Sequence, residues 1–297
     1  MQSLRERIDH RHVLLSDGAM GTMLFKQGVG PGDCPEAVAL ERPEVLTEIA
    51  RAYLDAGSDM VQTNTFGGSP AKLAHYGLAE QTEAINRAAV EAARAAVGDR
   101  AHVLASVGPS GQILKPYGDA DPEQLRAGFV RQIKALVEAG ADGVVVETMT
   151  DIEEACLAVS AAREVSTELP LLATMTFDST PRGFFTIMGV KVQTACTRLK
   201  EAGADLLGAN CGNGIDKMVE LACAFSNHSE LPLVIQSNAG LPELVNGEPT
   251  YSESPDFMAA RVPRLLAAGV NVIGGCCGTT PYHITALRKA IDQARPR

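Results

Sequence analysis

The chain alternates short, continuously apolar runs with longer segments whose apolar residues recur at helical spacing. Eight runs read as strands: Val13-Leu14-Leu15, residues 60–64, 102–107, 144–147, 171–176, 206–207, 233–237 and 272–273. Each is followed by a helical stretch. Pro43 to Ala56, for example, carries Leu46, Ile49, Tyr53 and Leu54 on one face and stops at Gly57, where a left-handed cap is expected. Strands that are apolar throughout, alternating with helices, imply a parallel sheet buried on both faces. Eight such units in 297 residues, with no dividing linker, predict an α/β protein: a single-domain (β/α)8 TIM barrel over residues 1–297. An open doubly wound sheet is the alternative, but no G-x-G-x-x-G follows the first strand.

A repeat reinforces the barrel. Ala56-Gly57-Ser58-Asp59, Ala139-Gly140-Ala141-Asp142, Ala202-Gly203-Ala204-Asp205 and Ala268-Gly269-Val270-Asn271 each close a helix and open a strand. In a barrel the C-terminal strand ends meet around one mouth. Here they bring Asp17, then Asn64 and Thr65, Gly108-Pro109, Glu147 and Thr148, Thr176, Asn210-Cys211-Gly212, Asn238, and Cys276-Cys277. The longest irregular stretches, 27–35, 108–122, 177–189 and 238–255, are placed on the same face. Asp17 sits on a glycine-flexed loop, and its local sequence fits either a ligand-facing carboxylate or a turn residue.

The net charge of −10, without a long basic run, argues against a nucleic-acid or anionic-membrane surface. No apolar run approaches the roughly 20 residues of a membrane span. The charged N-terminus does not read as a signal peptide, and seven scattered cysteines suit a reducing compartment, so a cytoplasmic location is expected.

The cysteines carry the chemistry. Cys276 and Cys277 are vicinal, framed by glycines at a strand's mouth, and vicinal thiols form a strained disulfide. Two thiols aimed at one spot suggest a soft metal, zinc foremost, although small core hydrophobes would read the same way. Cys211 is the third thiol at the mouth. Cys156, Cys196 and Cys223 fall in helical stretches and read as packing residues, and Cys34 is left without a role. Three thiolates leave a tetrahedral zinc one open position, which marks a catalytic site. Such a complex is electron-rich, poor at making hydroxide, and suited to deprotonating a thiol for alkyl transfer. A phosphate-cradling loop at Gly274–Thr280 is a competing reading.

Residues 17–22 (DGAMGT), 62–67 (QTNTFG), 210–212 (NCG) and 274–280 (GGCCGTT) resemble the homocysteine S-methyltransferase family, in particular the homocysteine-binding module of its cobalamin-dependent members. The resemblance covers about residues 10 to 295. It implies a (β/α)8 barrel with Zn2+ held by Cys211, Cys276 and Cys277, and with the Asn238 oxygen in the fourth position before substrate arrives. It also implies that Asp17 and Glu147 receive the homocysteine amino group and that the amides of Gly18 and Ala19 receive its carboxylate. Asn64 and Thr65, inside the second motif, join the substrate-binding set. The D-x-H-x-x-G cobalamin signature is absent from these residues, and aromatic residues make up only 4%. A betaine-type donor favours an aromatic cage. The expected donor is therefore methylcobalamin on a separate corrinoid protein. Betaine or S-methylmethionine is the alternative, with Tyr117, Phe177, Phe184 and Phe185 as the nearest pocket walls. A non-catalytic zinc or thiol-binding module is the reading from another class.

Overall fold

The computed structural model describes residues 1–30, 32–245 and 248–294; positions 31, 246, 247 and 295–297 of the expected domain lie outside the described residues. Eight parallel strands are β1 (Leu14–Leu15), β2 (Met60–Gln62), β3 (His102–Val107), β4 (Gly143–Met149), β5 (Leu171–Met175), β6 (Leu206–Asn210), β7 (Leu233–Ser237) and β8 (Val270–Gly275). They form one sheet in the order β1-β8-β7-β6-β5-β4-β3-β2, which is the predicted (β/α)8 barrel. Helix α1 (Leu4–Asp9) precedes the barrel and α2 (Gly21–Lys26) follows β1. The outer ring is α3 (Pro43–Asp55), α4 (Thr82–Val97), α5 (Pro122–Glu138), α6 (Ile152–Val165), α7 (Val192–Ala202), α8 (Ile215–Ser226), α9 (Val262–Ala267) and α10 (Pro281–Ala294). Among the described residues no helix is long and apolar enough to cross a membrane.

Side-chain alternation divides the core in two. Leu14, Met60, Leu104, Val145, Leu172, Leu206, Val234 and Val272, one from each strand, point inward and pack together. Leu4 and Ile8, one helical turn apart on α1, join the same cluster. The α1 turn is held by a capping box between Ser3 and Glu6. Outward-facing neighbours such as Val103, Ala105 and Val107 pack under the helices.

The Ala-Gly repeat has a mechanical role. Asp142 Oδ2 accepts the Val103 N–H at 2.7 Å, Asp205 Oδ2 the Leu171 N–H at 2.8 Å, and Asn271 Oδ1 the Leu233 N–H at 3.3 Å. Asp59 Oδ2 takes the Leu15 N–H at 2.8 Å. Each copy thus ties an even-numbered strand to the odd one before it. Arginines close over the carboxylates: Arg94 on Asp142, Arg5 and Arg163 on Asp205, and Arg7 and Arg288 on Asp59. At the β1–β2 seam the described residues show no ladder. The seam closes through Asp59 below and through Asp17 above, whose Oδ2 accepts the Gln62 N–H at 2.8 Å.

Two of the long stretches contain unpredicted order. Residues 178–180 pair antiparallel with 183–185, and residues 243–245 with 248–250, while α2 separates the first stretch from its strand. Asp142→Ala removes a charged acceptor from a strand amide and from Arg94. It should lower unfolding stability by about 1–3 kcal/mol in urea denaturation; an unchanged midpoint would show that the repeated carboxylate is no clamp.

Candidate active site

Two residues beyond the apolar tier the barrel interior turns polar. The inward positions become Ser16, Gln62, Ser106, Glu147, Thr174, Gly208, Gln236 and Gly274 in strand order, with Asn210 two residues above Gly208. Above this tier lies a cavity of about 270 Å3 whose walls include Glu147, Thr148, Cys211, Gln236, Cys276 and Cys277. Larger grooves of about 860 Å3 lie among outer helices and contain none of the mouth residues.

The three thiols arrive from two strands. Cys211 directly follows β6, where strand alternation would aim its side chain outward. Its backbone instead adopts φ 60°, a left-handed conformation that breaks the pleat. Cys276 and Cys277 follow β8. The turn is fixed by the Cys276 N–H on Ser237 O at 2.7 Å and by Thr279 Oγ1 donating to Cys276 O at 2.7 Å. The sulfurs of Cys211, Cys276 and Cys277 all lie within 4.8 Å of one another, with Cys211 and Cys277 at 3.8 Å. A tetrahedral zinc with Zn–S bonds of about 2.3 Å requires sulfurs roughly 3.8 Å apart, so the donor set fits that ion.

Electrostatics at the thiols favours a cation. The other two thiols direct their protons toward Cys211, which drops to about 3, and the hydrogen bond to Cys211, with burial and the Cys211 charge behind it, raises Cys277 to about 11. Cys276 rises as well, through its hydrogen bonds to Cys211 and Cys277. The Asn238 side chain adds a hydrogen bond to the Cys211 sulfur. Asn238 Oδ1 is buried without a partner, an acceptor left over beside the thiols. Exchanging the amide's nitrogen and oxygen, which share one envelope, would turn that acceptor toward the sulfurs.

Asn210 links the thiols to the acidic side. Wholly buried, it accepts the Thr148 N–H at 2.8 Å and Thr174 Oγ1 at 2.7 Å through Oδ1. Its Nδ2 donates to Thr148 Oγ1 at 2.7 Å and Glu147 Oε2 at 3.2 Å, and lies 3.9 Å from Cys276 Sγ. Ser106 Oγ donates to Glu147 Oε1. Burial lifts the Glu147 carboxyl to about 7 against that hydrogen bond, and nearby Asp17 and Cys211 add to the rise. Asp17 is also lifted to about 7 by burial, opposed by the Gln62 N–H.

Of the residues expected from sequence, Gly18, Ala19, Asn64, Glu147, Cys211, Cys276 and Cys277 line one cavity. Asp17 lies behind Gly18, with Oδ2 engaged at the seam and Oδ1 accepting Ser16 Oγ at 3.3 Å. A Cβ on Gly18 would sit 2.7 Å from Thr279 Oγ1, so only glycine lets the β1 and β8 loops approach here. The Ala19 amide already donates to Thr279 Oγ1 at 3.1 Å. Asn64 donates to Pro35 O at 2.7 Å, and Thr65 is buried in a hydroxyl chain with Thr63 and Ser106 O.

Tyr117, Phe177, Phe184 and Phe185 are absent from the cavity wall, where Phe66 stands instead. Tyr117 is 83% exposed, and Phe177 is buried edge-on against Phe225. Cys223, expected to pack, is exposed because it falls on the solvent side of α8; Cys34 is half-buried and donates to Glu36 Oε2 at 3.6 Å. Sequence reasoning passed over Ser106, Thr174 and Gln236, which the apolar-to-polar switch two residues along each strand would have revealed. It also passed over Tyr251, which hydrogen-bonds Cys277 from a long loop and has no sequence signal.

Comparison with known proteins gives consistent matches. The family model for homocysteine S-methyltransferase matches residues 14–291. Methionine synthase of Mycobacterium tuberculosis (strain ATCC 25618 / H37Rv) is 31% identical over 298 residues, covering 95% of this chain and 25% of that protein. The Mycobacterium leprae (strain TN) methionine synthase is also 31% identical, with 95% and 24% covered. This chain therefore spans about a quarter of the length of the curated relatives it matches. The metallated form of the homocysteine methyltransferase MmuM from Escherichia coli superposes with a TM-score of 0.77 at 27% identity, covering 96% of this chain and 99% of that one.

One thiolate, shared by the three coupled thiols, is expected in the metal-free protein at neutral pH, because two of them can donate hydrogen bonds to the third while a second charge would be repelled. Ultraviolet thiolate absorbance equivalent to about one cysteine should persist below the ordinary thiol range and be lost only when the cluster is broken up in Cys211→Ser/Cys277→Ser. A wild-type signal titrating near the ordinary thiol value of about 8.5 would contradict this arrangement.

Proposed function

The chain belongs to the homocysteine S-methyltransferase family, and on that premise we propose that it transfers a methyl group to the thiol of homocysteine at a zinc ion held by Cys211, Cys276 and Cys277. The observation that carries this reading is the convergence of three thiols, from two strands, beside a buried carboxylate in one small cavity. Bound there, zinc would supply a Lewis acid that takes up a thiol as thiolate near neutral pH and leaves it nucleophilic.

The chain's own residues orient the substrate. Glu147, held by Ser106 and Asn210, faces the cavity and would accept the substrate ammonium through charge-assisted hydrogen bonds. Asp17 contributes its field from behind the wall, and its seam contact keeps the β1 loop in place. The substrate carboxylate is assigned to the Gly18 amide, because the neighbouring Ala19 amide is engaged with Thr279. Asn238, with its unpartnered oxygen, would be the fourth donor for the metal.

The donor is assigned to methylcobalamin on a separate corrinoid protein. Large exposed hydrophobics crowd the loops that follow β3, β5 and β7: Ile113 and Tyr117, Ile187 and Met188, and Leu241 and Leu244. Such a rim suits a docked protein. A small onium donor would call for aromatic walls, and Phe66 is the cavity's one aromatic lining residue among those described.

The test is turnover by the purified, zinc-loaded chain with homocysteine and each donor. Methionine should form with methylcobalamin, free or protein-borne, and form slowly or not at all with betaine or S-methylmethionine. Glu147→Gln should raise KM for homocysteine by roughly ten- to a hundredfold with zinc content unchanged. Fast betaine-dependent turnover would overturn the donor, and homocysteine binding without turnover on any donor would overturn the enzyme.

A further inference from the structure

Hydrogen bonds saturate most of the polar tier beneath the cavity. Ser106 is spent on Glu147, and Thr174 on Asn210. Gln236 differs. It lines the cavity from β7 and is 97% buried (3% exposed), yet Oε1 has no hydrogen-bond partner. Leaving such an acceptor unmet costs about 1–3 kcal/mol, so a buried glutamine whose oxygen serves nothing in the protein calls for a ligand. Space has been made for it. A Cβ on Gly274, its neighbour across β8, would lie 3.0 Å from Gln236 Cγ, so a larger residue there would crowd the side chain.

We infer that Gln236 is a substrate-positioning residue that accepts a hydrogen bond from the ammonium group of the amino-acid thiol. This rests on the transferase reading above. The donor count supports an ammonium. It brings three N–H groups into a site where Asp17 has Oδ2 committed to Gln62 and Oδ1 to Ser16. Glu147 is a charged acceptor on the cavity wall, already shared with Ser106 and Asn210, and Glu36, on the same wall, is engaged by the Gly67 N–H and the Cys34 thiol. Gln236 lines the same cavity, and its Oε1 is a buried acceptor that nothing in the protein engages. A neutral acceptor adds direction without another buried negative charge beside three thiols and two carboxylates. Gln236 thereby selects thiols that carry an α-amino group over simple mercaptans.

The experiment is calorimetric binding of homocysteine and of 4-mercaptobutanoate, which lacks only the amino group, to the zinc-loaded protein. Gln236→Leu should weaken homocysteine by about ten- to a hundredfold while moving 4-mercaptobutanoate less than about twofold. Gln236→Glu, which keeps an acceptor but adds a buried acid, should recover part of the homocysteine affinity and leave 4-mercaptobutanoate no tighter than in wild type. Zinc content should stay at the wild-type value and the ligand-free thermal midpoint should hold or rise, since the unmet acceptor is gone; if Leu disturbs folding, Gln236→Met repeats the comparison in a side chain of similar shape. Equal weakening of both thiols, or of neither, would overturn the assignment. A wild-type protein that binds neither thiol would instead sink the transferase reading.

Discussion

The barrel closes where its shortest strand has least backbone to offer. β1 is only Leu14–Leu15, and side-chain carboxylates tie it to β2 at both levels. At the floor, Asp59 belongs to a repeated device in which an Asx residue opening each even strand accepts an amide of the odd strand before it. At the mouth the same task falls to Asp17. Everything above the apolar tier depends on this closure, because the β1 loop and the β8 turn meet across it at Gly18 and Thr279. A carboxylate that closes a barrel cannot also be freely offered to solvent. Its burial, and the lift in its proton affinity, follow from that double duty.

Above the seam, the site collects negative charge and leaves it short of cations. Three sulfurs crowd within 4.8 Å, and two carboxyls are lifted toward neutrality by burial. Burying like charges together costs stability unless an opposite charge arrives. A divalent metal at the thiols and an ammonium at the acidic side would each answer one half of that imbalance. Asn210 stands between the halves and hydrogen-bonds Glu147 while approaching Cys276.

Much of this was readable in the chain. The eight apolar runs became eight strands because a strand buried on both faces must be apolar throughout, and the Ala-Gly-x-Asx repeat marked the floor. The three thiols were legible because strand ends meet at one mouth whatever their separation in sequence. Other features were not. Residues 64 and 65, expected at the end of the second strand, lie past it, since β2 stops at Gln62. The hairpin strands Asp178–Thr180 and Gly183–Phe185 are short and largely exposed, so no apolar alternation announces them. Helix α1 is not among the elements expected from the apolar pattern, although Ser3 and Glu6 spell a capping box. The left-handed turn that swings Cys211 into the mouth has no sequence signal, because cysteine seldom takes that conformation.

The central claim is that this mouth takes up the substrate sulfur as a thiolate. Proton release on mixing tests it most directly, measured in weak buffer near pH 7 with the zinc-loaded protein. Homocysteine should release about one proton per chain more than methionine, which carries the same amino and carboxyl groups but no ionisable thiol, since a free thiol near pKa 8.5 is mostly protonated there. The excess should vanish in Cys211→Ala. Tight binding of homocysteine with no excess over methionine would contradict the account.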